Sequence, residues 1–368
     1  MFRKLMKKTL LSVLAVFIAS GMVMAEEKIV YVYNWSDYIA EDTLANFTKE
    51  TGIKVVYDVF DGNEVLETKL LAGRTGFDIV VPSNSFLARQ IKAGVFQKMD
   101  RSKLTNFDNL DKSLLKTLET NDPGNQYAVP YLWGTTGLGM NIDKVQAALG
   151  KDVPLNTWEL VFNPEYISKL KSCGVSFLDA PSEIPASALL YLGLNPNSLN
   201  PSDYSDHAEP LLMKIREYVT YFHSSKYIND LANGDICLAI GWSGDVVQAA
   251  TRAEEAGNGV NVKYVIPKEG AGLWFDMLAI PADAKNVENA HIFINYLLRP
   301  DVIAEITNYV WYANPNSAST SLVNEEITSD TSIYPDAETK KNLFTFDVMP
   351  PKIDRIQNRL MTRMRTGQ

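Results

Sequence analysis

Tryptophan and aspartate occur close together at three places in this chain, each beside a segment whose composition predicts a β-strand. The segments are Trp35-Ser36-Asp37-Tyr38, Trp242-Ser243-Gly244-Asp245 and Trp274-Phe275-Asp276. An indole face attracts a cation through its quadrupole, and a neighbouring carboxylate attracts the same cation through its charge. The three segments therefore suit an organic cation if the fold brings them to one site.

Two further polar residues follow predicted strands in the same way as the first two tryptophan segments do. Ser83 follows the predicted strand 77–81, and Glu183 comes just after the predicted strand 175–178. In open parallel sheets, ligands bind beyond the carboxyl ends of the strands. We therefore expect these groups to meet in one cleft between two lobes.

Several of these residues also have a purely structural interpretation. Asp37, Asp245 and Ser83 each precede a helical pattern, so each could be a helix N-cap. Asp276 differs, because it lies near the start of the predicted strand 273–280, where aspartate is unusual unless it faces a polar group. Asp276 is therefore stronger evidence for a ligand site than Asp37.

The chemistry of these tryptophans and carboxylates favours one kind of ligand. Converging carboxylates repel one another and are costly to bury without partners, and a bound cation offsets that cost. Aromatic faces would also cover methylene groups. A slender chain with an ammonium group at each end fits best, since an amino acid would need an arginine for its carboxylate and none lies in these segments.

Two segments resemble catalytic motifs but lack an essential part. The run from Gly241 to Asp245 begins like a nucleophile elbow but lacks the final glycine of G-x-S-x-G. The glycine-rich run from Gly134 to Gly139 is not followed by the Gly-Lys-Ser/Thr of a phosphate loop. We interpret it as a crossing between lobes whose small residues tolerate hinge motion.

The elements that must position these residues alternate between strand and helix. The predicted strands are 29–34, 53–60, 77–81, 175–178, 236–240, 262–266 and 273–280, and the predicted helices are 41–50, 64–72, 86–93, 209–222, 246–255, 287–298 and 351–364. This alternation predicts an α/β protein with a parallel sheet covered on both faces.

The amino terminus and the composition indicate an exported, acidic protein. Lys7 and Lys8 precede an apolar stretch, and Ala25 ends a small-residue cleavage site, which predicts a signal peptide over residues 1–25. The alternative is an uncleaved anchor. Without this segment the chain has 343 residues, enough for two lobes, and a net charge of −13 from 31 basic and 44 acidic residues. Such a surface repels nucleic acid and anionic lipid.

Cys173 and Cys237 are the two cysteines of the chain, and they could form a disulfide in an oxidising compartment or remain as buried thiols. With three scattered histidines, they show no metal-ligand spacing. We expect neither a metal site nor a cofactor.

Taken together, these motifs resemble the bacterial periplasmic polyamine-binding proteins of ABC transporters, particularly the putrescine-binding branch. The runs that carry the resemblance are 33–39, 77–83, 241–245 and 274–276, and the similarity extends over essentially the whole mature chain. The resemblance implies a type II periplasmic-binding-protein fold with a ligand cleft between two lobes. It also implies a non-enzymatic, monomeric periplasmic protein that delivers putrescine or spermidine to an inner-membrane ABC transporter permease.

The resemblance implies a set of ligand-binding residues, carried over by position. The aromatic members would be Trp35, Tyr38, Trp242, Trp274 and Tyr312, and the polar members Ser36, Asp37, Ser83, Glu183, Asp245 and Asp276. Tyr312 is expected to bind the ligand on the basis of the resemblance alone. A disulfide between Cys173 and Cys237 is implied in the same way.

One position departs from the putrescine-binding branch. Relatives selective for putrescine often have phenylalanine where this chain has Trp274, whereas Ser85 and Ala180 are small, as in that branch. Putrescine is therefore the favoured ligand, and spermidine remains possible. The alternatives are a sugar-binding protein of the same fold, which would also use stacked tryptophans, and a secreted glycosidase with paired carboxylates.

We also predict how the chain divides between the lobes. The first lobe takes residues 26–136 and 262–305, and the second lobe takes residues 137–261 and 306–368.

Overall fold

The computed structural model describes residues 28–368, so the predicted signal peptide lies outside the described residues. The first part of the chain alternates strand and helix, as the sequence predicts. These elements are β1 (Ile29–Trp35), α1 (Thr43–Thr51), β2 (Lys54–Phe60), α2 (Asn63–Ala72), β3 (Ile79–Val80), α3 (Asn84–Lys92) and α4 (Lys112–Leu118).

The middle of the chain contains one long strand followed by a second group of short strands and helices. They are β4 (Ala128–Asn141), α5 (Ile142–Leu149), α6 (Glu159–Phe162), α7 (Pro164–Leu170), β5 (Val175–Phe177), α8 (Glu183–Tyr191), α9 (Glu209–Ile215), β6 (Tyr221–Phe222), α10 (Tyr227–Asn233), β7 (Leu238–Trp242) and α11 (Ser243–Ala256). The predicted helix 209–222 was wrong at its end, because Tyr221 and Phe222 pair with β5 as a strand.

The last part returns to the sheet and ends in a long helix. Its elements are β8 (Val262–Val265), β9 (Ala271–Ala279), α12 (Val287–Leu297), α13 (Pro300–Val310), α14 (Glu325–Thr328), α15 (Ala337–Lys340), β10 (Leu343–Thr345) and α16 (Pro351–Thr366). Because β9 begins at Ala271, Asp276 lies inside this strand and not at its start as predicted.

The strands form one mixed sheet in the order β2-β1-β3-β9-β4-β7-β5-β6, with β10 beside β9 and β8 beside β4. The outer pairs are parallel as predicted. At the centre, β4 is antiparallel to β7, β8 and β9, whereas β9 is antiparallel to β3 and parallel to β10. The predicted parallel sheet is therefore mixed at its centre, where β4 and β9 connect two groups of strands. We call the part built on β1–β3 the first lobe and the part built on β5–β7 the second lobe.

All 14 residues of β4 are buried, and its glycines allow close packing. A Cβ atom at Gly139 would lie 2.6 Å from a methyl group of Val246. The glycine-rich segment is thus part of the strand that joins the lobes, where side chains would separate β4 from helix α11.

The second lobe carries the disulfide and the carboxy-terminal helix. Cys173 and Cys237 form the bridge that the resemblance implied, so that prediction is confirmed. Helix α16 packs against α8 and α9, and its buried residues include Leu360 and Met364. No helix within residues 28–368 is long and apolar enough to cross a membrane. The division of the chain between the lobes remains a prediction.

Candidate functional site

A cleft lies between the two lobes, and its walls come from the ends of several strands. Trp35 ends β1, Ser83 follows β3, Trp242 ends β7 and Glu183 begins the helix after β5. This is the arrangement that the strand-end rule predicts. The predicted site residues that line the cleft are Trp35, Ser36, Tyr38, Ser83, Glu183, Trp242, Asp245, Trp274, Asp276 and Tyr312.

Asp276 projects into the cleft from β9 and is held by two hydroxyl groups. The Ser83 hydroxyl donates to Oδ1 at 2.6 Å and the Tyr38 hydroxyl donates to Oδ2 at 2.8 Å. Asn63 in turn donates to the Ser83 hydroxyl at 3.0 Å. These bonds hold the carboxylate in a single orientation.

Asp245 lies in the first turn of α11 and is held in a similar way by two tyrosines. The hydroxyl of Tyr227 donates to Oδ2 at 2.7 Å, and that of Tyr312 donates to Oδ1 at 2.6 Å. A Cβ atom at Gly244 would lie 2.4 Å from the Tyr312 ring. The glycine before Asp245 is therefore required for Tyr312 to reach the carboxylate.

Glu183 is the third carboxylate of the cleft. The Trp242 indole donates to Oε2 at 3.1 Å, and the Thr136 hydroxyl donates to the same oxygen. The Trp274 indole donates to the Thr136 hydroxyl at 3.2 Å. One chain of hydrogen bonds thus orients both indoles and the carboxylate.

Aromatic rings surround these carboxylates in a continuous series. Trp35 packs edge-on against Trp242 with ring centroids 5.4 Å apart, and Trp242 packs edge-on against Trp274 at 6.4 Å. Tyr312 contacts Trp274 at 5.6 Å and Tyr38 at 4.9 Å. Such walls suit an apolar chain between two charged ends.

Asp245, Asp276 and Glu183 lie almost entirely out of water, which changes their protonation. Asp276, Asp245 and Glu183 are 3%, 4% and 7% exposed. Burial raises the pKa of Asp245 and of Asp276 to about 7, and hydroxyl hydrogen bonds offset this only in part. Burial likewise raises the pKa of Glu183. A positively charged ligand would therefore stabilise the ionised form of all three carboxylates.

Asp37 is the one predicted ligand residue that does not line the cleft. Its backbone is left-handed, with φ of 52°, and its carboxylate accepts a hydrogen bond from Arg252 of α11 at 2.7 Å. Gln248 of the same helix donates to the Asp37 carbonyl oxygen at 3.3 Å. Asp37 therefore links the lobes at the edge of the cleft.

The helix-cap interpretation is wrong for Asp37 and Asp245, and for Ser83 it is right in position only. Helix α1 begins after Asp42, five residues beyond Asp37, and Asp245 lies inside α11. Ser83 does occupy the N-cap position of α3, but its side chain accepts no cap hydrogen bond and instead donates to Asp276.

Some residues of the site were missed at the sequence level. Tyr227 belongs to a separate helix, and no local pattern relates it to Asp245. Thr136 lies in the glycine-rich segment, where a hydroxyl within a buried strand was an available signal. Further residues that line the cleft are Phe60, Asp61, Asn63, Ser85, Phe86, Ser182, Ser224, Ser225 and Phe346.

Comparisons with known proteins show which family the chain resembles and which fold it shares. Residues 42–335 match the family described as bacterial extracellular solute-binding protein. The chain is 59% identical to the putrescine-binding periplasmic protein SpuD of Pseudomonas aeruginosa, covering 98% of both chains. It is also 59% identical to the putrescine-binding periplasmic protein PotF of Escherichia coli, covering 95% of both. The solved spermidine/putrescine substrate-binding protein PotD of Streptococcus pneumoniae has a TM-score of 0.73 at 29% identity, with 92% of this chain and 99% of that chain covered.

Proposed function

Because the chain belongs to the bacterial extracellular solute-binding proteins, we propose that it captures a polyamine in the periplasm and delivers it to an ABC transporter permease. Putrescine is the favoured ligand and spermidine the second. Family membership confirms the resemblance found in the sequence and the two-lobed fold that it implies. The relatives support this function and not the sugar-binding alternative.

The observation that carries the proposal is the charge of the cleft. Asp245, Asp276 and Glu183 converge there, and no lysine or arginine of residues 28–368 lines the same walls. Buried ionised carboxylates without a counter-charge are costly, so the cleft favours a cationic ligand. A diamine supplies two charges and an apolar chain that fits the aromatic walls.

In the proposed complex, the ammonium groups pair with Asp245, Asp276 and Glu183, while the indoles of Trp35 and Trp242 flank the methylene groups. Each cation–aromatic contact contributes roughly 0.5–2 kcal/mol. Closure of the lobes expels water and strengthens the electrostatic attraction. The tyrosine and serine hydroxyls orient the carboxylates before the ligand arrives.

The direct test is calorimetry with putrescine and with spermidine on ligand-free protein. The Asp245→Asn variant should weaken putrescine binding by at least about 1.5 kcal/mol, because it removes a charged hydrogen-bond acceptor. Asp230→Asn is the matched control, since Asp230 is a buried acceptor for the Tyr221 hydroxyl outside the cleft wall. Binding of maltose but of neither polyamine would contradict the proposed function.

We also propose that the protein is a monomer without catalytic activity and that cleavage after Ala25 releases its mature form. The putrescine-binding relatives are binding proteins, and the small residues before Glu26 fit a signal-peptidase site. Mass spectrometry of the exported protein should find Glu26 at its amino terminus. Light scattering should give the mass of one chain, and neither polyamine should be converted during binding.

A further inference from the structure

Thr136 contacts the wall of the cleft from behind but does not itself line the cleft. It belongs to β4, is fully buried and pairs in register with Trp242 of β7. Successive side chains of a strand point to opposite faces. The hydroxyl of Thr135 accordingly meets the Tyr264 hydroxyl at 2.8 Å, whereas that of Thr136 meets Glu183. Of these two buried threonines, only Thr136 donates to a carboxylate of the cleft.

The indoles fix the direction of the hydrogen bonds around Thr136. The Trp274 indole donates to the Thr136 hydroxyl at 3.2 Å, and an indole N–H can only donate. The hydroxyl has one proton of its own, which it donates to Oε2 of Glu183. The Trp242 indole donates to the same oxygen at 3.1 Å. Glu183 is therefore the acceptor in both bonds, and a proton taken up by its carboxyl group would lie on Oε1.

This pattern distinguishes Glu183 from the two aspartates of the cleft. Each carboxylate oxygen of Asp245 and of Asp276 accepts one hydrogen bond from a hydroxyl group. In Glu183 the two closer contacts both fall on Oε2, and Oε1 has only the longer contact of 3.3 Å with the Trp242 indole. Oε1 of Glu183 is therefore the least satisfied acceptor among the carboxylate oxygens of these three residues.

The surroundings of Glu183 make the hydrogen bond from Thr136 important. Burial raises the pKa of Glu183, and the hydrogen bonds from Thr136 and Trp242 oppose that rise. The titratable groups that interact electrostatically with Glu183 are Glu64, Tyr227, Tyr264 and Asp276. These groups supply no positive charge, so the two neutral donors favour the ionised carboxylate before a cationic ligand binds.

We propose that Thr136 is a positioning residue for polyamine binding, whose hydroxyl holds Glu183 ionised and leaves its Oε1 to an ammonium group of the ligand. This inference rests on the proposed function. A hydrogen bond to an ionised carboxylate is stronger than one between neutral groups, and it favours the charged form. Without the hydroxyl, Glu183 takes up a proton more readily and its carboxyl group is less firmly oriented. Both changes weaken its attraction for a dication.

Substitutions that separate the hydroxyl of Thr136 from its bulk test the inference. Thr136→Val keeps the shape and removes the hydroxyl, whereas Thr136→Ser keeps the hydroxyl and removes a methyl group. Thr135→Val is the matched control, because Thr135 is a similarly buried neighbour in β4 whose hydroxyl bonds to Tyr264. Calorimetry at pH 6 and at pH 8 measures putrescine binding to each variant, and thermal unfolding shows that each variant is folded.

Thr136→Val should weaken putrescine binding roughly tenfold at pH 8, which corresponds to about 1.4 kcal/mol, and by a larger factor at pH 6. The larger factor at pH 6 arises because Glu183 without the hydroxyl takes up a proton at a higher pH. Thr136→Ser and Thr135→Val should keep the wild-type affinity at each pH. If Thr136→Val does not fold, Thr136→Ala replaces it with the same expectation.

Three results would overturn the role of Thr136. They are wild-type affinity in Thr136→Val, an equal loss of affinity in Thr136→Val at both pH values, and weakened binding in Thr136→Ser or Thr135→Val. The last two would show that these threonines only fill space in the core. Failure of the wild-type protein to bind any polyamine would instead overturn the proposed function.

Discussion

Putrescine binding should weaken when the pH falls from 8 to 6. Burial raises the pKa of Asp245 and of Asp276 to about 7 in the closed cleft. A bound ammonium group favours the ionised carboxylate and lowers both pKa values. The protein therefore releases protons when it binds the diamine, and protons compete with the ligand at low pH.

The size of the effect follows from these values. Consider a carboxylate whose pKa is about 7 in the ligand-free protein and well below 6 in the putrescine complex. Its titration changes the affinity for putrescine about tenfold between pH 8 and pH 6. Two such carboxylates together change the affinity up to roughly a hundredfold. Putrescine stays doubly charged over this range, because alkyl amines titrate near pH 10. The affinity should therefore be high above pH 7 and decrease as the pH falls through 7.

Calorimetry at pH 6, 7 and 8 in two buffers of different ionisation enthalpy gives both the affinity and the number of protons released. Asp245→Asn should remove about half of the pH dependence, because one of the two titrating groups is gone. Equal affinities at pH 6 and pH 8, with no protons released, would refute the assignment of Asp245 and Asp276 as buried partners of the ammonium groups.

The same carboxylates predict the opposite trend for the closed protein without ligand. The pKa of Asp245 and of Asp276 is about 7 in the closed cleft and 3.8 for an unperturbed aspartate. Their contribution to the stability of the closed form is therefore most favourable below pH 4 and is lost as the pH rises through 7. At pH 8 each ionised carboxylate costs the closed form about 4 kcal/mol. A bound dication relieves this cost.

Three further outcomes are expected. Gly244→Ala should displace the Tyr312 ring and weaken putrescine binding at least tenfold by calorimetry, and unchanged binding would show that Tyr312 is dispensable. Trp274→Phe should lower spermidine affinity relative to putrescine by roughly 0.5–1 kcal/mol, because a phenyl face attracts a cation less strongly than an indole face, and an unchanged ratio would contradict a selective role. Replacing Cys173 and Cys237 with alanine should lower the free energy of unfolding by about 4 kcal/mol, because the disulfide closes a loop with a sequence separation of 64 residues. Urea titrations measure this change, and an unchanged midpoint of the unfolding transition would contradict the prediction.

Local patterns located most of the elements that position the site. The amino-terminal strands and helices lie within a few residues of their predicted bounds, because alternating apolar residues and glycine stops are local signals. Strand β4 was not predicted, since all of its residues are buried and its glycines obscure any alternation. Tyr221 and Phe222 looked helical and became a strand through pairing with β5, a tertiary contact.

The sequence alone determined the chemistry of the ligand, because residue types such as tryptophan, aspartate and glutamate carry their charge and aromatic character in any fold. Only the tertiary structure decided which of them meet. It turned Asp37 toward Arg252, 215 residues away, and it brought Tyr227 and Thr136 to carboxylates that no local pattern connects to them. The physical reason is that periodicity reports which face of an element is buried, whereas a binding site depends on contacts between elements far apart in the chain.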